Sequence, residues 1–125
     1  MVFKVKENVV IPTPTHYYDK TCRLIKIGPF SIEVIETPGH TRGSVCLLVE
    51  NNLFTGDTIF AKRPGNTIFP GGNEKELLNS LNIIALLSKK YMIYPGHGHS
   101  CLLGEIQYDL LADVQLEWSE VFEKS

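Results

Sequence analysis

Two histidines and one aspartate each stand beside a glycine at the end of an apolar, strand-like run. The segments are Gly39-His40, Gly56-Asp57 and Gly96-His97-Gly98. Imidazole nitrogens and carboxylate oxygens are ligand types suited to Zn²⁺ and other first-row divalent ions. A side chain at a strand end is held by the sheet behind it, while glycine allows a sharp turn and close backbone approach. Taken singly, each segment is ordinary. Gly-Asp and Pro-Gly are common turns, and a lone histidine is more often a surface or hydrogen-bonded residue than a ligand.

The elements that must position these residues follow from hydrophobic pattern and turn chemistry. Residues 3–11 are weakly strand-like, and Pro12 and Pro14 interrupt them. β-Branched residues dominate Leu24–Ile27 and Ser31–Thr37, with Gly28-Pro29 as the turn between them. Ser44–Glu50 is apolar on alternate positions of both faces, as in a strand buried on both sides. Asn51-Asn52 reads as the tight turn into a strand over Leu53–Thr55. After a Gly- and Pro-rich loop over residues 61–72, Asn73 reads as a helix N-cap with Glu76 completing a capping box. Leu77, Leu81, Ile84 and Ser88 fall on one stripe, and Lys89 and Lys90 suit the negative C-terminal end of that helix. A strand over Tyr91–Tyr94 follows, then a last helix from about Leu103 to Phe122. The pattern is one domain, a sheet covered by helices on one face.

Composition narrows the function classes. The chain has 125 residues, 43% hydrophobic and 21% charged, with a net charge of −2. That suits a globular domain and gives no electrostatic case for nucleic acid or an anionic membrane as partner. Apolar runs such as Val45–Val49 are far below a membrane span, and the first residues lack the apolar core of a secretory signal. Cys22, Cys46 and Cys101 form no CxxC pair and no disulfide framework, so a cytoplasmic chain with reduced thiols is expected.

The residues around the three segments resemble a known family. Thr37-Pro38-Gly39-His40-Thr41-Arg42-Gly43-Ser44-Val45 is similar to the TPGHTxGS motif of the metallo-β-lactamase superfamily. Leu53-Phe54-Thr55-Gly56-Asp57-Thr58-Ile59-Phe60 resembles its LFTGDxLF motif, and Tyr94-Pro95-Gly96-His97-Gly98 its YPGHG motif. Pro70-Gly71-Gly72-Asn73 resembles the entry to the following helix in glyoxalase II-like (hydroxyacylglutathione hydrolase-like) members. The motifs stand in the family's order, and the resemblance covers roughly residues 22–105, the C-terminal half of the fold. It implies an α+β architecture, half of the αββα sandwich, with a mixed sheet and helices on one face. It also implies that His40 binds a first metal (Zn, or Fe or Mn), that Asp57 bridges two metals as the catalytic carboxylate, and that His97 binds the second. The implied reaction is hydrolysis of a thioester or ester-like small molecule by a metal-bound hydroxide, its water acidified toward a pKa of ~7.

The family's leading HxHxDH motif has no counterpart here, because His16 is the only histidine before His40. The expectation is one truncated domain over residues 1–125, incomplete alone, with doubtful metal occupancy in the isolated chain. Additional ligands would have to come from His16, His99 or Cys101, or from a partner: a second copy, or a complementary chain carrying HxHxDH. The alternatives are a catalytically inactive remnant or interaction protein, and a single-metal binding protein. The loop Gly65-Asn66-Thr67-Ile68 departs from the Gly-Arg-Thr-Asp of glyoxalase-like relatives and leaves the substrate class open; Lys62 and Arg63 nearby could meet an anion but read first as solvated surface charges.

Overall fold

A computed structural model describes residues 13–19, 23–106 and 108. It contains one sheet of six strands in sequential order, one α-helix and one short 3-10 turn. The strands are β1 (Leu24–Ile27), β2 (Phe30–Glu36), β3 (Val45–Val49), β4 (Asn52–Gly56), β5 (Met92–Pro95) and β6 (Cys101–Leu102). The helix α1 spans Glu74–Ala85. Neighbouring strands are antiparallel except β4 and β5, which run parallel. A parallel pair needs a crossover, and α1 supplies it.

The register sorts the side chains between two faces. Leu48, Leu53, Ile93 and Cys101 are successive cross-strand partners and so share one face. Leu53 and Ile93 join Cys46, Ile59, Leu77, Leu81, Ile84 and Leu103 in the core between sheet and helix. Val34, Leu47, Phe54 and Tyr94 are likewise aligned on the opposite face. There Val34 is buried, while Phe54 and Tyr94 are 44% and 40% exposed and stack at 5.2 Å between ring centroids. The helix lies on one face only, as the half-sandwich pattern requires.

Asn73 caps α1 as expected, its side-chain oxygen accepting from the Glu76 amide at 2.9 Å. Leu77, Leu81 and Ile84 form the buried stripe. Strands β2, β4 and β5 begin or end one residue from the sequence reading, and larger differences fall elsewhere. The β3–β4 hairpin turns at Glu50-Asn51, one residue early, because Asn52 already pairs with Val49. The helix ends at Ala85, so Ser88 lies beyond its stripe and Lys89 and Lys90 beyond its last turn, which holds no basic residue. Capping there comes from the Leu86 amide bonding back to Ile83 and Ile84. Cys101–Leu102 adds an edge strand, and Leu103–Glu105 is 3-10 rather than the start of a long helix. The rest of that expected helix, residues 3–11 and Cys22 lie outside the described residues.

Leu81 is fully buried at the centre of the single helix–sheet interface. Leu81→Ala should cost about 2–5 kcal/mol through lost burial and the cavity left behind. Urea unfolding followed by circular dichroism measures it.

Candidate metal centre

Strand direction brings the three motif residues to one place. β2 and β4 each run antiparallel to β3, so they run the same way as each other, and β5 is parallel to β4. The C-terminal ends of β2, β4 and β5 therefore meet at one edge. His40 follows β2, Asp57 follows β4 and His97 follows β5. The three side chains converge: His40 Nε2 lies 3.5 Å from Asp57 Oδ2, and His97 Nδ1 lies 2.8 Å from Asp57 Oδ1.

Each loop is fixed from behind. The His40 loop is closed by the Thr37 amide on the Ser44 carbonyl (3.0 Å) and by the Thr41 and Ser44 hydroxyls at 2.6 Å. It is tied to α1 by the Asn73 amide on the Gly39 carbonyl (2.8 Å) and by the Ser80 hydroxyl on the Pro38 carbonyl (2.7 Å). Gly39 has φ +141°, and a Cβ there would collide with Leu77. Only glycine lets the loop lie flat on the helix. Gly96 serves the Asp57 side: its amide donates to the Gly56 carbonyl at 2.7 Å, and a Cβ would stand 2.8 Å from Asp57 Oδ1.

Beneath the site is a small buried polar layer. Thr37 Oγ1 lies 3.4 Å from Cys46 Sγ and 3.3 Å from Thr58 Oγ1, and the Thr55 hydroxyl donates to the Ile59 carbonyl at 3.1 Å. These groups are fully or almost fully buried and satisfy one another. Burial pushes the Cys46 thiol up to about 11, against smaller lowering by hydrogen bonds from Thr37 and Thr58. Cys46 is therefore a neutral packing residue behind the site.

Hydrogen bonding assigns the imidazole protons. His40 Nδ1 lies 2.7 Å from the Asn66 carbonyl oxygen, which can only accept. Nδ1 carries the proton, so in the neutral ring Nε2 presents its lone pair to Asp57. A lone pair and a carboxylate oxygen 3.5 Å apart with no proton between them match two ligands on one tetrahedral ion, which stand about 3.3–3.6 Å apart. Such a carbonyl behind a ligating imidazole is the usual orienting partner. His97 sits differently. At 2.8 Å its Nδ1 donates a hydrogen bond to Asp57 rather than standing at ligand spacing, and its side chain is 78% exposed. Among the described residues, no group of three or more His, Cys, Asp and Glu is arranged to hold a metal ion as it stands.

The other candidates lie apart from this cluster. His99 is exposed and lines the neighbouring cavity with His97. Cys101 pairs with Ile93 on the helix-covered face, where burial first and Glu105 second push its thiol up. His16 is exposed, with Nδ1 3.0 Å from Thr15 Oγ1. Sequence reading missed the Asn66 carbonyl, a backbone group that no side-chain pattern announces. It also missed Phe60 and Phe69, which line a cavity of about 330 Å³ with His40, Asp57, Arg63, Asn66 and His97.

Fold and site define a half-sandwich scaffold with a His–Asp–His cluster at the ends of its strands. The sequence model of the metallo-beta-lactamase superfamily matches residues 5–97, and the chain belongs to that superfamily. A probable metallo-hydrolase of Methanocaldococcus jannaschii is 44% identical over 76 residues, covering 58% of this chain and 37% of that protein. A hydroxyacylglutathione hydrolase of Haemophilus influenzae is 30% identical over 95 residues, covering 74% and 45%. The crystal structure of the B3 metallo-beta-lactamase BLEG-1 superposes with a TM-score of 0.66 at 34% identity, covering 73% of this chain and 44% of that one. The chain spans less than half the length of the curated relatives it matches. No helix among the described residues is long and apolar enough to cross a membrane.

Two outcomes are expected. Gly39→Ala should destabilise by about 3 kcal/mol, combining the left-handed backbone with overpacking against Leu77, as read by urea titration. The raised Cys46 thiol means that its contribution to stability is complete below its unfolded value of 9.0 and is lost as pH rises through about 11. The stability advantage of the wild type over Cys46→Ala should therefore shrink between pH 9 and pH 11 in paired unfolding curves.

Proposed function

We propose that this chain is the C-terminal portion of a metal-dependent hydrolase acting on thioesters or related esters. The observation that carries this reading is the pairing of the His40 Nε2 lone pair with the Asp57 carboxylate at ligand spacing, its tautomer set by the Asn66 carbonyl. Two histidines and a carboxylate suit zinc, with iron or manganese as the alternatives. A bound ion would supply Lewis-acid polarisation of a carbonyl and acidify a water. His40 and Asp57 would hold the ion, and His97, now hydrogen-bonded to Asp57, would be the third residue available to it. Asp57 is central, since each of its oxygens faces a different histidine. The thioester preference is supported by the glyoxalase II-like motifs and by the name of the Haemophilus relative.

Three ligands leave a two-ion site short, so the working enzyme takes its remaining ligands from another segment or chain. That partner is a second copy or a polypeptide carrying HxHxDH, seated on the apolar face that displays Phe54 and Tyr94. A second reading is a single-metal site, since His40 and Asp57 alone stand at ligand spacing while His97 lies at hydrogen-bond distance from Asp57.

Metal analysis after dialysis against zinc tests the site. We expect at most one ion per chain, lost in Asp57→Asn and in His40→Ala. Retention unchanged in both variants would refute the assignment. Gel filtration tests the partner: elution above the 14.1 kDa monomer, or after mixing with an HxHxDH-bearing half, is expected together with gain of thioester turnover. A monodisperse monomer that refuses such a half would count against it.

A further inference from the structure

We propose that the cavity adjoining the His40–Asp57–His97 cluster receives an anionic arm of the substrate, and that Arg63 is the residue that selects it. This deepens the hydrolase reading and rests on it for the word substrate. The site cavity and a second one of about 400 Å³ share Phe60, Arg63 and His97 as a common wall. From that wall the second cavity continues along Ala61, Lys62, Gly98 and His99. Among the described residues, its lining holds Lys62 and Arg63 and no Asp or Glu.

Arg63 is placed to act in both directions. Its guanidinium carbon lies 5.6 Å from the centre of the Phe60 ring, so the cation is oriented by the aromatic face rather than by a carboxylate. Among the described residues no carboxylate pairs with the Arg63 fork. Its backbone is anchored as well: the Phe60 amide donates to the Arg63 carbonyl at 2.9 Å, and Ile59 bridges Pro64. The planar fork suits carboxylate and phosphate oxygens alike.

The two cavities differ in charge. Asp57 lines only the site cavity and Lys62 only the second, while Arg63 stands on the wall they share. An anionic arm laid along Lys62 and Arg63 leaves a neutral reacting carbonyl beside the His40–Asp57–His97 cluster. The loop that follows carries Asn66 and Ile68 and contributes no charge of its own, so Lys62 and Arg63 are the fixed positive charges on this wall.

The test uses the full ¹⁵N-labelled chain in EDTA, titrated separately with inorganic phosphate and with glutarate and followed by amide shifts. Saturable shifts at residues 61–63 and 97–99 are expected. Arg63→Ala should weaken binding about five-fold and Arg63→Lys less, while Lys90→Ala leaves it unchanged. Tighter binding of phosphate would support a phosphorylated arm, and of glutarate a carboxylate arm. Non-saturable shifts spread over surface lysines, or equal affinity in the wild type and a folded Arg63→Ala, would overturn the proposal. Because no metal is present, failure of the metal assignment would leave this result standing, and loss of anion binding would leave the metal assignment untouched.

Discussion

Strand parity governs this structure. A side chain from the end of β2 can meet one from the end of β4 only because a single strand, β3, lies between them and reverses direction twice. His97 can join them only because β5 is parallel to β4, which obliges the chain to cross over through α1. One strand more or fewer would send one of these side chains to the far edge. The remaining features refine that placement. Gly39 sets how closely the His40 loop lies on the helix, and the Asn66 carbonyl turns the His40 ring. The Thr37, Cys46 and Thr58 layer supports both loops from inside with polar groups that need no water.

The same sheet carries two unlike faces, and their difference follows from the period of two along each strand. Leu53 and Ile93 point to α1 and are fully buried, while their neighbours Phe54 and Tyr94 point the other way and stay over a third exposed. Aromatic stacking gives that second face some internal order without covering it. The 12-residue helix covers the centre of one face over β3–β5, Leu24 of β1 on that face staying 51% exposed, and the described chain puts no second helix opposite it.

Much of this was legible in the residues. β-Branched content over 24–27 and the apolar run over 45–49 located strands, and the Asn73–Glu76 spacing located the helix start, because residue preference and capping are local effects. The histidines and Asp57 were legible through the short motifs around them, since each needs a glycine or proline at a set offset to leave its strand. What could not be read was decided by contacts distant in sequence. The helix stops at Ala85 although Leu86 and Leu87 would continue an apolar pattern, and Cys101–Leu102 becomes a strand only because β5 offers an open edge. The β3–β4 turn begins at Glu50, with φ +55°, because pairing of Val49 with Asn52 prevailed over the residue preference for Asn at the turn. The hydrogen bond from His97 to Asp57 was equally invisible, since both were read as ligands before either was seen as a donor or acceptor to the other.

The parallel pairing of β4 with β5 also has a kinetic side. β1 through β4 can zip up hairpin by hairpin, each turn bringing near neighbours together. Asp57 and His97 are forty residues apart, and their encounter waits for the intervening loop and helix to close on the sheet. Loop closure of that length costs entropy before any contact rewards it, so the pocket is expected to assemble after the hairpins. A nascent chain would pass through a stage with its hairpins formed and the His40–Asp57–His97 cluster still unassembled.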